Sequence, residues 1–147
     1  MFRSLRPSTF SDIPIRLVAR YHQSMDPRHA SGARAEDAAA VALVRAGLHI
    51  VERNVRFPGG ELDLVCREGD VWVFVEVKAR RPGWDDAPRA AVSWQKQRRL
   101  IRLAQHYLKW HRLRDVRCRF DVVEVMLEGA APGAVRHLRS AFDATAH

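Results

Sequence analysis

Apolar and polar positions along this chain follow two periods, one helical and one of strands. From Ala33 to Ala46 the run ARAEDAAAVALVRA is rich in the strongest helix former, has no interior breaker, and is followed by Gly47, which readily takes the left-handed conformation that closes a helix. A helix is predicted there. HIVERNVRF (49–57) is β-branched with partial alternation and is broken by the Pro-Gly-Gly run at 58–60. ELDLVCR (61–67) and DVWVFVEVK (70–78) then read as two strands around a Glu68-Gly69 turn. Residues 79–88 form a loop by their Pro, Gly and Asp content. From Arg89 to His111 no proline or glycine interrupts a long helix with the apolar stripe Leu100, Ile101, Ala104, Tyr107, Leu108. RCRFDVVEVML (117–127) is a further strand, GAAPG (129–133) a turn, and 134–142 a short last element of unassigned type. An apolar helix and a half-amphipathic one would cover opposite faces of one mixed sheet, an α/β sandwich.

Residues 1–31 stand apart. Three prolines, scattered arginines and several Ser/Thr surround one short amphipathic piece, Ile15 to Tyr21, and the stretch reads as an N-terminal arm of low order before a domain at 32–147. Met25, just ahead of that domain, leaves a later translation start open. At 147 residues the chain is long enough for one domain burying roughly 68–70% of its unfolded surface. With 47% hydrophobic and 29% charged residues it falls outside the composition of disordered chains, so a packed core is expected.

Charge narrows the function. The net charge is +8, and the segment from Lys96 to Arg119 alone holds nine basic residues (Lys96, Arg98, Arg99, Arg102, Lys109, Arg112, Arg114, Arg117, Arg119) against one acid, Asp115. The excess is therefore a local patch, which predicts a polyanionic partner, nucleic acid before membrane. The bland reading of such a run is a solubilising surface; its density argues for phosphates, which relieve the repulsion and release counterions. Two cysteines in no CxxC arrangement and scattered histidines indicate neither a disulfide framework nor a zinc site, which fits a reducing cytoplasm. No run approaches the about 18 apolar residues of a membrane span, and no signal peptide is readable.

The second hairpin carries the chemistry. With a Glu68-Gly69 turn, Asp63 stands opposite Phe74 and Glu61 opposite Glu76. Strand alternation then puts Asp63, Glu76 and Lys78 on one face, and Leu62, Leu64, Val71, Val73, Val75 and Val77 on the other. Carboxylates near a sheet interior are costly unless paired or metal-bound. Asp63 and Glu76, as diagonal neighbours, could ligate one hard divalent cation, Mg²⁺ or Mn²⁺, which takes oxygen ligands and a substrate phosphate, while Lys78 orients a water or neutralises the transition state. Phosphodiester hydrolysis is the reaction implied.

Asp63, twelve residues, then Glu76-Val77-Lys78 on consecutive strands after a helix resembles the PD-(D/E)xK nuclease superfamily, although Leu62 stands where that name has proline. The chain resembles more closely the YraN-like family, itself similar to Holliday-junction resolvases. The matching stretches are Ala35-Glu36, Arg53 to Arg56, Gly59 to Val65, Val73 to Arg80, Lys96 to Leu100 and Arg119 to Val123. The resemblance implies a restriction-endonuclease-like α/β sandwich with a central mixed sheet flanked by helices. It implies metal-binding acids at Asp63 and Glu76, a catalytic Lys78, a helix-borne acid at Glu36, a further helix-borne residue at Lys96 and, by analogy with resolvases, a homodimer. The leading expectation is a metal-dependent nuclease on structured or branched DNA, its backbone held by Lys96, Arg98, Arg99, Arg102, Lys109 and Arg112. The alternative is a nucleic-acid-binding module, or an RNA-processing or adaptor protein, of the same fold. Plain structural readings stand beside these. Glu36 and Asp37 suit the start of a helix, Glu61 a surface or outer position, Trp84 and Trp94 packing, and Cys66 and Cys118 the core.

Overall fold

The structure is a computed structural model that describes residues 27–82, 92–129 and 131–146. Helix α1 (Pro27–Arg45) begins six residues ahead of the predicted Ala33, with proline at its first position, where the missing N–H is no loss. It therefore takes in residues 27–31 of the expected arm; residues 1–26 lie outside the described residues, as does the part of the predicted 79–88 loop that holds Trp84. At its end the Leu48 N–H donates to Leu43 O at 2.9 Å and that of Gly47 to Val44 O at 3.0 Å, with Gly47 at φ +94. Buried Leu48 clips the loop back onto the helix.

Strands β1 (His49–Phe57), β2 (Gly60–Glu68), β3 (Val71–Arg80), β4 (Arg117–Glu128) and β5 (Ala131–Phe142) form one sheet in chain order. Only β3 and β4 run parallel, joined by helix α2 (Trp94–Trp110), and the sheet is mixed as predicted. Helix α2 is shorter than the predicted 89–111; Ser93 caps it by accepting the Lys96 N–H at 3.3 Å. The last element is a full strand, and only the residues near Gly129 turn.

Two cores flank the sheet. Ala35, Ala39 and Leu43, spaced by four, press on Leu64, Cys66, Val73, Val75, Val123 and Val125. On the other face Leu100, Leu103, Ala104 and Tyr107 of α2 cover Leu62, Val65, Trp72, Phe74, Phe120 and Val122. The α2 side is aromatic: Tyr107 meets Trp72 at 6.0 Å and Phe74 at 5.8 Å between ring centroids. Gly60, at φ +153, lets α2 come down on the β1–β2 turn, since a Cβ there would lie 3.0 Å from the Leu103 side chain.

The hairpin register differs from the predicted one by two residues. Glu68 pairs with Val71 and Leu64 with Val75, so the turn is Gly69-Asp70 rather than Glu68-Gly69. Gly69 takes φ +60 at the first central position, a conformation that a glutamate there would adopt only under strain. A shift of two preserves the face of every side chain on β3, and Val73 and Val75 do face α1. Leu62 does not follow the predicted parity: it joins the α2 core while Leu64 joins the α1 core, so alternation breaks at Asp63. Of the cysteines, Cys66 is buried and Cys118 is exposed, not in the core.

Candidate active site

The break at Asp63 builds the site. The β2–β3 ladder ends at Leu64 and Val75, and Asp63 and Glu76 come next on the parting strands. In place of a further ladder bond, the Val77 N–H donates to Asp63 Oδ2 at 2.8 Å. The carboxylate thus satisfies a backbone donor that would otherwise be stranded where the strands separate.

Three elements bring acids here. Glu36 comes from α1, on the helix row of the buried Ala39 and Leu43, and Glu61 and Asp63 come from β2; one oxygen of each lies within 4.8 Å of the others. All three are half-buried. Burial first, then the charge of Glu76, pushes the Asp63 carboxyl up to about 7, against the pull of the Val77 N–H and Lys96. Burial also raises Glu36, opposed by a hydrogen bond from Asn54 and by Arg53, and reinforced by Glu61. Asn54 holds its place opposite this corner at φ +52. The rim is braced by Arg53 on Asp37 at 2.6 Å and Arg56 on Glu61 at 3.1 Å.

Cations enter from the other side. Glu76 is 7% exposed and forms an ion pair with Lys96, from the first turn of α2. Lys78 follows on the same face of β3; burial lowers its ammonium, Lys96 adds to that effect, and Glu76 opposes it. Next on that face Arg80 meets Glu124 of β4 at 2.9 Å, and Glu124 is 8% exposed.

Of the residues singled out in the sequence, Glu36, Asp63, Glu76, Lys78 and Lys96 therefore gather at one corner. The acids close enough to share an ion differ from the predicted pair: Glu61 joins Glu36 and Asp63, while Glu76 is engaged by Lys96. The sequence reads Glu61 as a surface or outer acid, whereas the structure brings it into the corner; its position beside Gly59-Gly60, where α2 packs closely, is a usable signal. Glu124 gave none, lying in an unremarkable alternating strand.

The predicted basic patch divides. Lys96 belongs to the acid corner. Arg119 is bonded to Asp121 and Glu68 at the far end of the sheet and is withdrawn from any phosphate. Arg98, Arg99, Arg102, Lys109 and Arg112 are exposed, Arg99 lying against Gly60 near the corner. Trp94 is 54% exposed rather than packed away.

A mixed five-stranded sheet between two helices, with an acid and an acid-x-lysine on adjacent strands, defines a restriction-endonuclease-like α/β fold. The uncharacterised protein family UPF0102 matches residues 35–125, which take in the whole corner, and the chain belongs to that family, the YraN-like family. A UPF0102 protein of Nitratidesulfovibrio vulgaris is 45% identical over 121 residues, 82% of this chain and 90% of its own length. One from Shewanella amazonensis is 54% identical over 95 residues, 64% and 86% of the two chains, and one from Symbiobacterium thermophilum 51% over 94, 64% and 80%.

Proposed function

We propose that the protein is a metal-dependent nuclease that hydrolyses phosphodiester bonds in structured or branched DNA. The observation that carries this reading is the convergence of Glu36, Glu61 and Asp63, each offering an oxygen within 4.8 Å of the others at half-buried positions. Two of them, Glu36 and Asp63, are pushed toward protonation by burial and by neighbouring carboxylates, so their charge is under-compensated. An all-oxygen donor set with excess negative charge fits a hard divalent cation, Mg²⁺ or Mn²⁺. Such an ion would supply polarisation of the phosphoryl group and a more acidic water.

The chain's own residues then have distinct tasks. Glu36, Glu61 and Asp63 hold the ion, and the Val77 N–H fixes the orientation of Asp63. Glu76, paired with Lys96, brings a fourth carboxylate to the same corner. Lys78, its ammonium lowered by burial, orients the attacking water and faces the charge that develops on the phosphate. Arg99 and the exposed arginines beyond it hold the backbone without reading bases. Two unpaired cysteines, one buried and one exposed, agree with a reducing cytoplasm. No helix among the described residues is long and apolar enough to cross a membrane.

A second reading is a nucleic-acid-binding module without turnover. One observation favours it: Glu76 and Glu61 already have cationic partners, Lys96 and Arg56. The two separate when branched, flapped and linear DNA are incubated with protein in Mg²⁺, Mn²⁺ or EDTA. Cutting should need the metal and fall at least about 100-fold in Asp63→Asn and Glu76→Gln. Binding with no cutting, or cutting that survives both variants, removes the catalytic assignment.

A further inference from the structure

Both helices end in the same pair of hydrogen bonds, and the residues at their left-handed positions differ. In α1 that residue is Gly47. In α2, where the Leu113 N–H donates to Leu108 O at 2.9 Å and that of Arg112 to Lys109 O at 3.1 Å, the residue is Arg112 at φ +55. A side chain in that conformation is strained relative to glycine. The helix end itself does not require it, as α1 shows with glycine.

The strained backbone places a guanidinium. Arg112 lines an open groove with Lys109, Arg114 and Gln105, and half-buried Leu108 and Leu113 supply its apolar part. None of the lining residues is acidic. Three cations held round a small apolar base match a phosphodiester backbone, whose charge they neutralise and whose sugars cover the leucines. The groove is not part of the acid corner. Arg112 stands just past the end of α2, and the fourteen residues of helical rise from Lys96 to Trp110 already span about 21 Å, so the two cations stand roughly six to seven base-pair steps of B-DNA apart. Between them Arg98, Arg102 and Lys109 recur on the outer, exposed side of α2.

We infer that this groove is a second backbone-binding site, which takes the phosphates of duplex DNA about six to seven base pairs from the bond presented to Asp63. The distance rests on the nuclease reading; the groove's affinity for duplex does not. Duplex is the occupant because single-strand sites line up successive aromatic rings, whereas none of the residues lining this groove is aromatic; exposed Trp110 is only their neighbour in the chain.

The decisive variant is Arg112→Gly, which removes the cation and relieves the backbone together. Binding of a labelled 24-base-pair duplex, a single strand and an RNA duplex is measured by anisotropy in EDTA across a salt series, beside thermal melting. Arg112→Gly should melt at or above the wild-type temperature, bind duplex DNA several-fold more weakly, and lower the salt slope by about 0.9. Lys109→Gln with Arg114→Gln should lower it by about 1.8. Unchanged slopes in both overturn the groove and leave the nuclease reading standing on its own cutting test. A loss confined to single strands or RNA, or an equal loss in Trp110→Ala, overturns the duplex occupant. Variants that lose duplex binding while wild type cuts nothing uphold the groove and sink the nuclease.

Discussion

Two carboxylate clusters sit on the same sheet, one around Asp121 of β4 and one around Asp63 of β2, and their contrast separates a structural acid from a functional one. Asp121 of β4 has no side-chain exposure, and both its oxygens are saturated. Arg119 donates to each, at 2.8 and 2.9 Å; the Ser140 N–H reaches Oδ1 at 3.0 Å and His137 Nε2 lies 2.7 Å from Oδ2. Burial pushes this carboxyl up, yet Arg119, the Ser140 N–H and His137 together hold it below the ordinary carboxylate range. Arg119 and Arg139 also share Glu68, which joins the start of β4 and the edge strand β5 to the end of β2. Asp63 has one backbone donor and carboxylates for neighbours, and its carboxyl moves up instead. Burial is common to both. What differs is whether the fold supplies the counter-charge, and at Asp63 the deficit is what a cation or substrate can fill.

Removing each acid should therefore do opposite things. Asp121→Ala strands Arg119 and His137 and should cost roughly 3–5 kcal/mol in guanidinium unfolding. Asp63→Asn keeps an acceptor for the Val77 N–H and removes an under-compensated charge, so in EDTA at pH 8 it should be neutral or stabilising. Equal losses in the two variants would erase the distinction between the clusters.

The same contrast predicts pH slopes of opposite sign. Asp63 is raised in the folded state above its ordinary 3.8 to about 7, so its contribution is whole below pH 4 and is lost as pH rises toward 7. Asp121 is lowered, so its contribution is present above pH 4 and is lost as pH falls through its folded value. Without metal, Asp63→Asn should flatten the fall in stability between pH 4 and 7, and Asp121→Asn the fall below pH 4. An unfolding series from pH 3 to 8 reads both slopes, and a wild-type profile unchanged by either variant contradicts them.

How much of this was legible depends on what each inference needed. Faces survived because they depend on parity alone: the register error of two left Glu76 and Lys78 on the α2 side and Val73 and Val75 on the other. Parity failed at Leu62, where the strands part, and no local pattern encodes a break made by Asp63 accepting from Val77 across the hairpin. The last strand was hidden because β5 is an edge with an irregular register, so polar residues interrupt its alternation. Summing charge along the chain places Arg119 in the patch, although Asp121, two residues on and on the same face of the strand, is the partner that its spacing encodes.

The smallest expected effect sharpens the comparison most closely at the acid corner itself. Arg56 is 81% exposed and holds Glu61 at 3.1 Å, the kind of surface pair worth roughly 0.2–1 kcal/mol. Arg56→Ala should hardly move the unfolding midpoint in EDTA. If Glu61 completes an oxygen site with Glu36 and Asp63, losing the guanidinium leaves more negative charge for the ion, and about 1 kcal/mol of freed interaction is about fivefold in affinity. Calorimetric titration with Mn²⁺ should thus show tighter binding in Arg56→Ala and weaker binding in Glu61→Gln. Arg53→Ala supplies the control, because its partner Asp37 points from the same helix as Glu36 but stays outside the group of three. Tightening as large in Arg53→Ala as in Arg56→Ala would mean that the corner responds only to general charge, and Glu61 would lose its place as a ligand.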